Sequence, residues 1–87
     1  MLMYSNFKRC ALTAYKVAVG VYGYSDDFSV VLDGRSYIDA HLRGVVEGLI
    51  LAQVATSAEV RACYDYVRIV SKAYTRHYID PKLGRKR

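Results

Sequence analysis

Basic side chains crowd the last third of this sequence of 87 residues. Arg68, Lys72 and Arg76 recur at intervals of four, a spacing that places all three on one face of a helix. Such a face could follow the phosphates of a nucleic acid through contacts that depend on salt and not on base sequence. The full set of candidate nucleic-acid-binding residues is Arg61, Arg68, Lys72, Arg76, Lys82, Arg85, Lys86, Arg87 and the aromatic Tyr74.

Residues that could support catalysis are scarce. The chain has no Ser/His/Asp order typical of a hydrolase, no Cys/His spacing typical of zinc and no phosphate-binding glycine loop. We interpret His41 and His77 as surface residues and Cys63 as a small core residue. These residue types on their own predict neither a metal site nor a catalytic centre.

Composition narrows the classes of protein further. A net charge of +5 and a pI near 9.4 favour an acidic partner, with nucleic acid first and an acidic protein second. An apolar fraction of 53% predicts one small globular domain over residues 1–80, followed by a basic tail over residues 81–87. No apolar run approaches the length of a membrane span, and the N-terminus lacks a signal-peptide core.

The remaining expectations from composition concern compartment and ligands. Cys10 and Cys63 have no motif spacing, so we interpret both as reduced thiols, which favours the cytoplasm. We expect no small-molecule substrate and no contact with a membrane, because nothing in the sequence indicates either.

The first third of the chain predicts strands. Val17, Val19 and Val21 alternate with smaller or polar residues, the period of a β-strand, and the predicted strand spans residues 15–24. Shorter apolar runs over residues 2–8 and 28–32 predict two more strands. Turn-forming residues 25–27 link the second and third strands, which are therefore expected to form an antiparallel hairpin, and Asp33-Gly34 closes the third strand with another turn.

A helix is predicted after this hairpin, with Ser36 or Asp39 as its cap and its end at residues 55–57. Ile38, Leu42 and Val46 recur at the spacing of one buried helix face. Gly44 and Gly48 lie on another face, and each costs about 1 kcal/mol relative to alanine inside a helix. We therefore interpret these two glycines as an interface where another backbone approaches closely.

The last part of the chain predicts a strand and a second helix. Residues 60–64 form an apolar run, and Asp65 follows at the point where such a strand would expose side chains to a ligand. The helix that carries the basic face is expected over residues 65–78 and ends before Pro81.

The resulting order, β-β-β-α-β-α, resembles the front part of a ribonuclease H domain. Residues 41–49, HLRGVVEGL, are similar to the first helix of that family, and residues 63–69, CYDYVRI, to its fourth strand and the helix start that follows. Residues 4–6, YSN, stand where the family's first strand ends in aspartate. The resemblance implies an α/β (α+β) fold, with a mixed sheet that includes an antiparallel hairpin and helices packed on it.

The resemblance also implies a metal site, but a degenerate one. The carboxylates that hold two Mg²⁺ ions in the family would correspond to Asn6, His41 and Asp65, and only Asp65 is a carboxylate. Hard cations need several oxygen ligands with negative charge, so we expect no cofactor, unless a partner helps Asp65 to bind Mg²⁺. Catalysis is therefore not expected.

Two classes of function stay open. The first is a nucleic-acid-binding module without catalysis, with RNA or an RNA–DNA duplex as ligand. The second is a small protein-interaction or inhibitor protein, of a phage type or an assembly subunit, that docks a partner or a second copy through Gly44 and Gly48 or through an unpaired sheet edge. A nuclease completed by ligands from another subunit is a third, weaker alternative.

Overall fold

The protein is a bundle of three α-helices in a computed structural model that describes residues 2–84. The helices are α1 (Leu2–Ala18), α2 (Phe28–Leu51) and α3 (Ser57–Tyr74). A π-helical segment, Val19–Gly23, continues α1, while Thr75–Ile79 and the 3₁₀ turn Asp80–Leu83 continue α3. None of the helices in this part of the chain combines the length and the apolar character needed to span a membrane.

The predicted α/β fold is wrong, and the resemblance to ribonuclease H falls with it. Residues 2–84 contain no strand. The segments expected as strands lie in α1 and its π-helical continuation, at the start of α2, and inside α3. The helix expected after the hairpin is confirmed only as far as Leu51, and it belongs to the longer helix α2. The helix expected over residues 65–78 is confirmed as helical within the longer stretch that begins with α3.

Helix α1 was misread because its buried face is made of small residues. Phe7 and three alanines form that face at helical spacing, and all four are buried: Phe7, Ala11, Ala14 and Ala18. The alternating valines do not define a strand face, since Val17 is 41% exposed and Val21 is 63% exposed. The valines thus alternate in the sequence as in a β-strand, although Val17 and Val21 lie on the outside of a helical segment.

Helix α2 begins earlier than its apolar pattern predicted. Asp27 caps it by accepting hydrogen bonds from the Ser29 backbone N–H at 2.9 Å and from the Ser29 hydroxyl at 2.7 Å. Neither Ser36 nor Asp39 is therefore the cap, and Asp33-Gly34 is part of the helix rather than a turn. The buried stripe of α2 consists of Val31, Gly34, Ile38, Leu42 and Val46.

A capping box starts α3. The Thr56 hydroxyl accepts from the Glu59 backbone N–H at 3.2 Å, and the Glu59 carboxylate accepts from the Thr56 backbone N–H at 2.9 Å. The run 60–64, expected as a strand, therefore lies in the first turns of a helix. Its Cys63 belongs to a helical stripe with Val67, Val70 and Tyr74, all of which are buried in the core.

The three helices run up, down and up, and each packs against the other two. The end of α3 meets the start of α2, because the Tyr74 hydroxyl donates a buried hydrogen bond of 2.7 Å to the Val31 carbonyl. Tyr4 near the start of α1 packs edge-on against Tyr66 of α3, and Tyr15 near the end of α1 packs edge-on against Tyr74 at the end of α3. Helices α1 and α3 therefore run in the same direction. Short connections between antiparallel neighbours are typical of such bundles.

Tight packing at a glycine occurs at Gly34, where the side chains of Tyr74 and Tyr22 approach, and not at the two glycines where the sequence predicted close approach of another backbone. A Cβ on Gly34 would overlap the Tyr74 hydroxyl and lie 2.6 Å from Cζ of the same ring. At Gly44 and Gly48 a Cβ would meet no atom within 4 Å. Gly34 thus allows the packing of α2 against α3, while Gly44 and Gly48 are exposed on the outer surface of α2.

Candidate nucleic-acid interface

A groove runs along the surface where α2 and α3 lie side by side. One part of it is a hollow of about 720 Å³ and the next a hollow of about 580 Å³, and Arg43 and Arg68 line both. We call this combined surface the α2/α3 groove. Its cationic lining residues are Arg35, Arg43, Arg61, Arg68, Lys72 and Arg76.

Helical spacing brings these six cations together. Arg68, Lys72 and Arg76 share one face of the helical stretch that begins with α3, and the structure places them along one wall of the groove. Arg35 and Arg43 form the opposite wall from α2, and sequence reasoning missed both. The spacing of eight between Arg35 and Arg43 places them on one side of a helix. This spacing predicts a shared face only if α2 begins before Arg35, and the sequence pattern placed the start of the helix after it.

Two of the six cations are held by carboxylates of their own helix. The Arg43 guanidinium contacts Asp39 at 3.0 Å, and the Arg68 guanidinium contacts Asp65 at 2.8 Å. The hydrogen bond to Asp39 raises the pKa of Arg43. Both pairs are well exposed, and pairs of this kind add little to stability. They orient the two guanidinium groups in the middle of the groove.

The other four cations have no salt bridge within residues 2–84. They are Arg35, Arg61, Lys72 and Arg76, and all are exposed. Unpaired guanidinium and ammonium groups are the chemistry that binds phosphate, and guanidinium binds it in a two-pronged geometry. The groove can therefore take up an extended anion without first breaking an internal ion pair at these positions.

Aromatic surface contributes little to the groove. Tyr64 is partly buried and is the one aromatic residue among its described lining residues. Tyr74, expected to contact nucleic acid, is completely enclosed in the core and donates its hydroxyl proton to Val31. Burial raises the pKa of Tyr74 to about 12. The structure thus gives Tyr74 a packing role, and we do not include it in the proposed interface.

The basic tail adds one described cation outside the groove. Lys82 is exposed on the 3₁₀ turn that follows α3. Arg85, Lys86 and Arg87 lie outside the described residues. Their expected contribution to nucleic-acid binding remains a prediction.

The three residues that correspond to metal ligands in the ribonuclease H resemblance lie on different helices and in different surroundings. Asn6 on α1 lines a hollow against α2, His41 on α2 is exposed and stacks on Tyr37, and Asp65 on α3 pairs with Arg68. Residues 2–84 contain no group of three or more His, Cys, Asp or Glu side chains that could hold a metal ion. The metal site implied by the ribonuclease H resemblance has no counterpart among residues 2–84.

The comparisons with known proteins identify no relative. The chain matches no protein-family model, no curated protein and no solved structure. The function must therefore be inferred from the groove and from the rest of the surface.

Proposed function

We propose that the protein binds a nucleic-acid duplex by seating the phosphates of one strand in the α2/α3 groove. The observation that carries this proposal is that four of the six groove cations are exposed and have no salt bridge within residues 2–84. Only the other two, Arg43 and Arg68, are paired with carboxylates. Contacts between cations and phosphates supply most of the affinity of sequence-tolerant binding. This function requires neither a metal nor a catalytic group.

The length of the groove suits a stretch of backbone. Arg61 and Arg76 are fifteen positions apart on one continuous helical stretch, which corresponds to about 22 Å at 1.5 Å per residue. Phosphates follow one another every few ångströms along a strand, so several of them fit this length. The cations are thus spread over a distance that several phosphates occupy.

A duplex is favoured over a single strand. Proteins that bind single strands without sequence preference combine a basic groove with several aromatic side chains on which bases stack. The described lining of this groove offers only Tyr64. The ligands to compare are therefore double-stranded RNA and an RNA–DNA hybrid, with single-stranded RNA as the weaker competitor.

Fluorescence anisotropy over a series of salt concentrations tests this function. If four phosphates replace counterions at the unpaired cations, log K should fall with log salt at a slope of about −3 to −4. Replacing Lys72 and Arg76 with glutamine should make that slope shallower by about 2 and weaken all duplexes alike. No binding to either duplex at low salt would refute the proposal.

A matched control separates the groove from net charge. Arg9 and Lys16 are exposed on α1, away from the groove, so Arg9→Gln together with Lys16→Gln removes the same number of charges. This control should leave the salt slope within a few tenths of the original value. An equal loss in both double variants would show that overall charge, and not the groove, is responsible.

The cytoplasm is the proposed compartment. Cys10 and Cys63 are both free thiols in the structure, as expected for a reducing environment. Treating intact cells that express the protein with a membrane-impermeant thiol reagent tests this placement. A cytoplasmic Cys10 should react only after the cells are lysed, whereas reaction in intact cells would contradict the placement.

A second candidate function is docking of a protein partner or a second copy. The observation that favours it is exposed apolar surface beside the turn after α2, where Leu51 is 84% exposed and Val54 is 53% exposed. The glycines Gly44 and Gly48 leave open space on the outer surface of the same helix. Sedimentation equilibrium should then show association that is insensitive to salt and is reduced by Gly44→Leu.

A further inference from the structure

The α2/α3 groove is not uniform along its length. In its middle, Arg43 and Arg68 are paired with carboxylates of their own helices. At the end where the start of α2 meets the end of α3, Arg35, Lys72 and Arg76 gather without a salt bridge in residues 2–84. This end thus holds three of the four groove cations that have no salt bridge within residues 2–84.

A hydroxyl group at the same end lacks a hydrogen-bond partner. Ser71 lines the groove next to Lys72, and its Oγ is enclosed and makes no hydrogen bond within the described part of the chain. Helical hydroxyls usually donate to the carbonyl one turn back, as Thr75 does here by donating to the Ser71 carbonyl at 3.0 Å. Ser71 does not make that bond. Its hydroxyl can therefore rotate about χ1 and donate a hydrogen bond to an anion in the groove.

The charge at this end matches a dianion. Asp39 and Asp80 also line the hollow, and Asp39 is offset by Arg43. Arg35, Lys72 and Arg76 outnumber Asp80, the other carboxylate that lines this hollow, by two, whichever group Asp80 contacts. A phosphate monoester carries a charge of about −1.5 to −2 at neutral pH and three acceptor oxygens, whereas a diester within a strand carries a single charge.

We propose that this end of the groove binds the terminal phosphate of a nucleic-acid strand whose backbone occupies the rest of the groove. The proposal rests on the duplex-binding function above and adds recognition of a strand end. Arg35, Lys72 and Arg76 supply the charge, and the Ser71 hydroxyl donates to one phosphate oxygen. A monoester is preferred here because a backbone diester satisfies only part of this set of donors.

Binding of one duplex sequence in three forms tests the proposal. The forms carry a 5′-phosphate, a 3′-phosphate or only hydroxyl groups at the strand ends, and all are measured by anisotropy at physiological salt. We expect one phosphorylated form to bind about tenfold more tightly than the hydroxyl form, the effect of a hydrogen bond to a charged group. Equal affinity of the three forms would overturn the terminal-phosphate proposal while leaving duplex binding intact.

Variants distinguish a built site from added charge. Lys72→Gln and Ser71→Ala should each reduce the preference for the phosphorylated form to about twofold or less. Arg61→Gln, at the far end of the groove, should weaken all three forms while keeping the preference. Lys72 is exposed, so it can be replaced without unfolding the protein. If Lys72→Gln keeps the preference, the proposal is overturned, because the extra negative charge of the duplex and not this site would then explain the tighter binding.

Failure of the two proposals can be told apart. If no form of the duplex binds, the duplex-binding function is refuted and the end-recognition proposal falls with it. If all forms bind equally, only end recognition is refuted. A nucleoside 5′-monophosphate should compete for the phosphorylated form at concentrations that leave binding of the hydroxyl form unchanged, and equal competition against both would count against a distinct terminal site.

Discussion

Replacing Gly34 with alanine is the sharpest test of how α2 and α3 pack. The new methyl group would overlap the Tyr74 hydroxyl, lie 2.6 Å from Tyr74 Cζ and lie 2.9 Å from Tyr22 Cβ. Tyr74 is 0% exposed and cannot swing into solvent without opening the core. The ring must therefore shift, and its hydrogen bond to the Val31 carbonyl is lost with it.

The magnitude follows from three terms. Forcing extra atoms into a packed core costs about 1–3 kcal/mol. Leaving the buried Tyr74 hydroxyl without its acceptor costs about 1–3 kcal/mol. Alanine in a helix returns about 1 kcal/mol relative to glycine. With the middle of each range, Gly34→Ala should lower the free energy of unfolding by about 3 kcal/mol, or the melting temperature by about 12–24 °C.

Urea unfolding followed by circular dichroism measures the effect, with Gly44→Ala and Gly48→Ala as matched controls. Both control glycines lie in the same helix, and a Cβ at either position would meet no atom within 4 Å. Alanine should therefore raise the unfolding free energy by about 0.5–1 kcal/mol at each control site. Replacement of glycine by alanine is thus expected to lower the free energy of unfolding at position 34 and to raise it at positions 44 and 48 of the same helix.

The reasoning would be refuted if Gly34→Ala unfolded at the same urea concentration as the parent or at a higher one. A double-mutant cycle with Tyr74→Leu adds a second criterion, because a shorter side chain removes the overlapping atoms. The cost of Gly34→Ala should then shrink by about 1 kcal/mol or more. Equal costs in both backgrounds would mean that the clash with Tyr74 is not the cause.

Two further predictions concern pH and capping. Burial raises the pKa of Tyr74 to about 12 from 10.0, so the contribution of Tyr74 to stability is constant below about pH 10. It then falls by up to about 1.4 kcal/mol per pH unit toward pH 12, because the unfolded chain ionises first. Urea midpoints measured against pH should show this decline, and Tyr74→Phe should remove the share due to Tyr74. Thr56→Ala should lower the unfolding free energy by about 1 kcal/mol through loss of the α3 capping box, whereas Ser57→Ala, one residue on, should be nearly neutral.

The sequence predicts the helical regions best where large aliphatic side chains carry the period. Ile38, Leu42 and Val46 are buried as their spacing predicts. Helix α1 could not be recognised in the same way, because alanines form most of its buried face while Val17 and Val21 face outward. A hydrophobicity pattern weighs a valine more than an alanine, whereas burial here follows the shape of the neighbouring helix.

Glycine was the second source of error. Asp33-Gly34 is a common turn pair, but Gly34 lies within α2, where the space that a side chain would need is taken by Tyr74. Tyr74 follows Gly34 by forty positions, so no local pattern contains that information. The basic face of the C-terminal helix needed only local spacing and could be predicted, while its counterpart on α2 depended on the helix start at Phe28.

The ion pairs of the α2/α3 groove each join residues of one helix, and none of the salt bridges in residues 2–84 links α2 to α3. What holds the two walls at their spacing is the apolar core and the neutral Tyr74–Val31 hydrogen bond. Raising the ionic strength therefore weakens the attraction for a polyanion without loosening the scaffold, since salt screens exposed charges far more than buried apolar contacts. Concentrated salt should elute the protein from an immobilised nucleic acid in its folded form, and dilution alone should restore full binding.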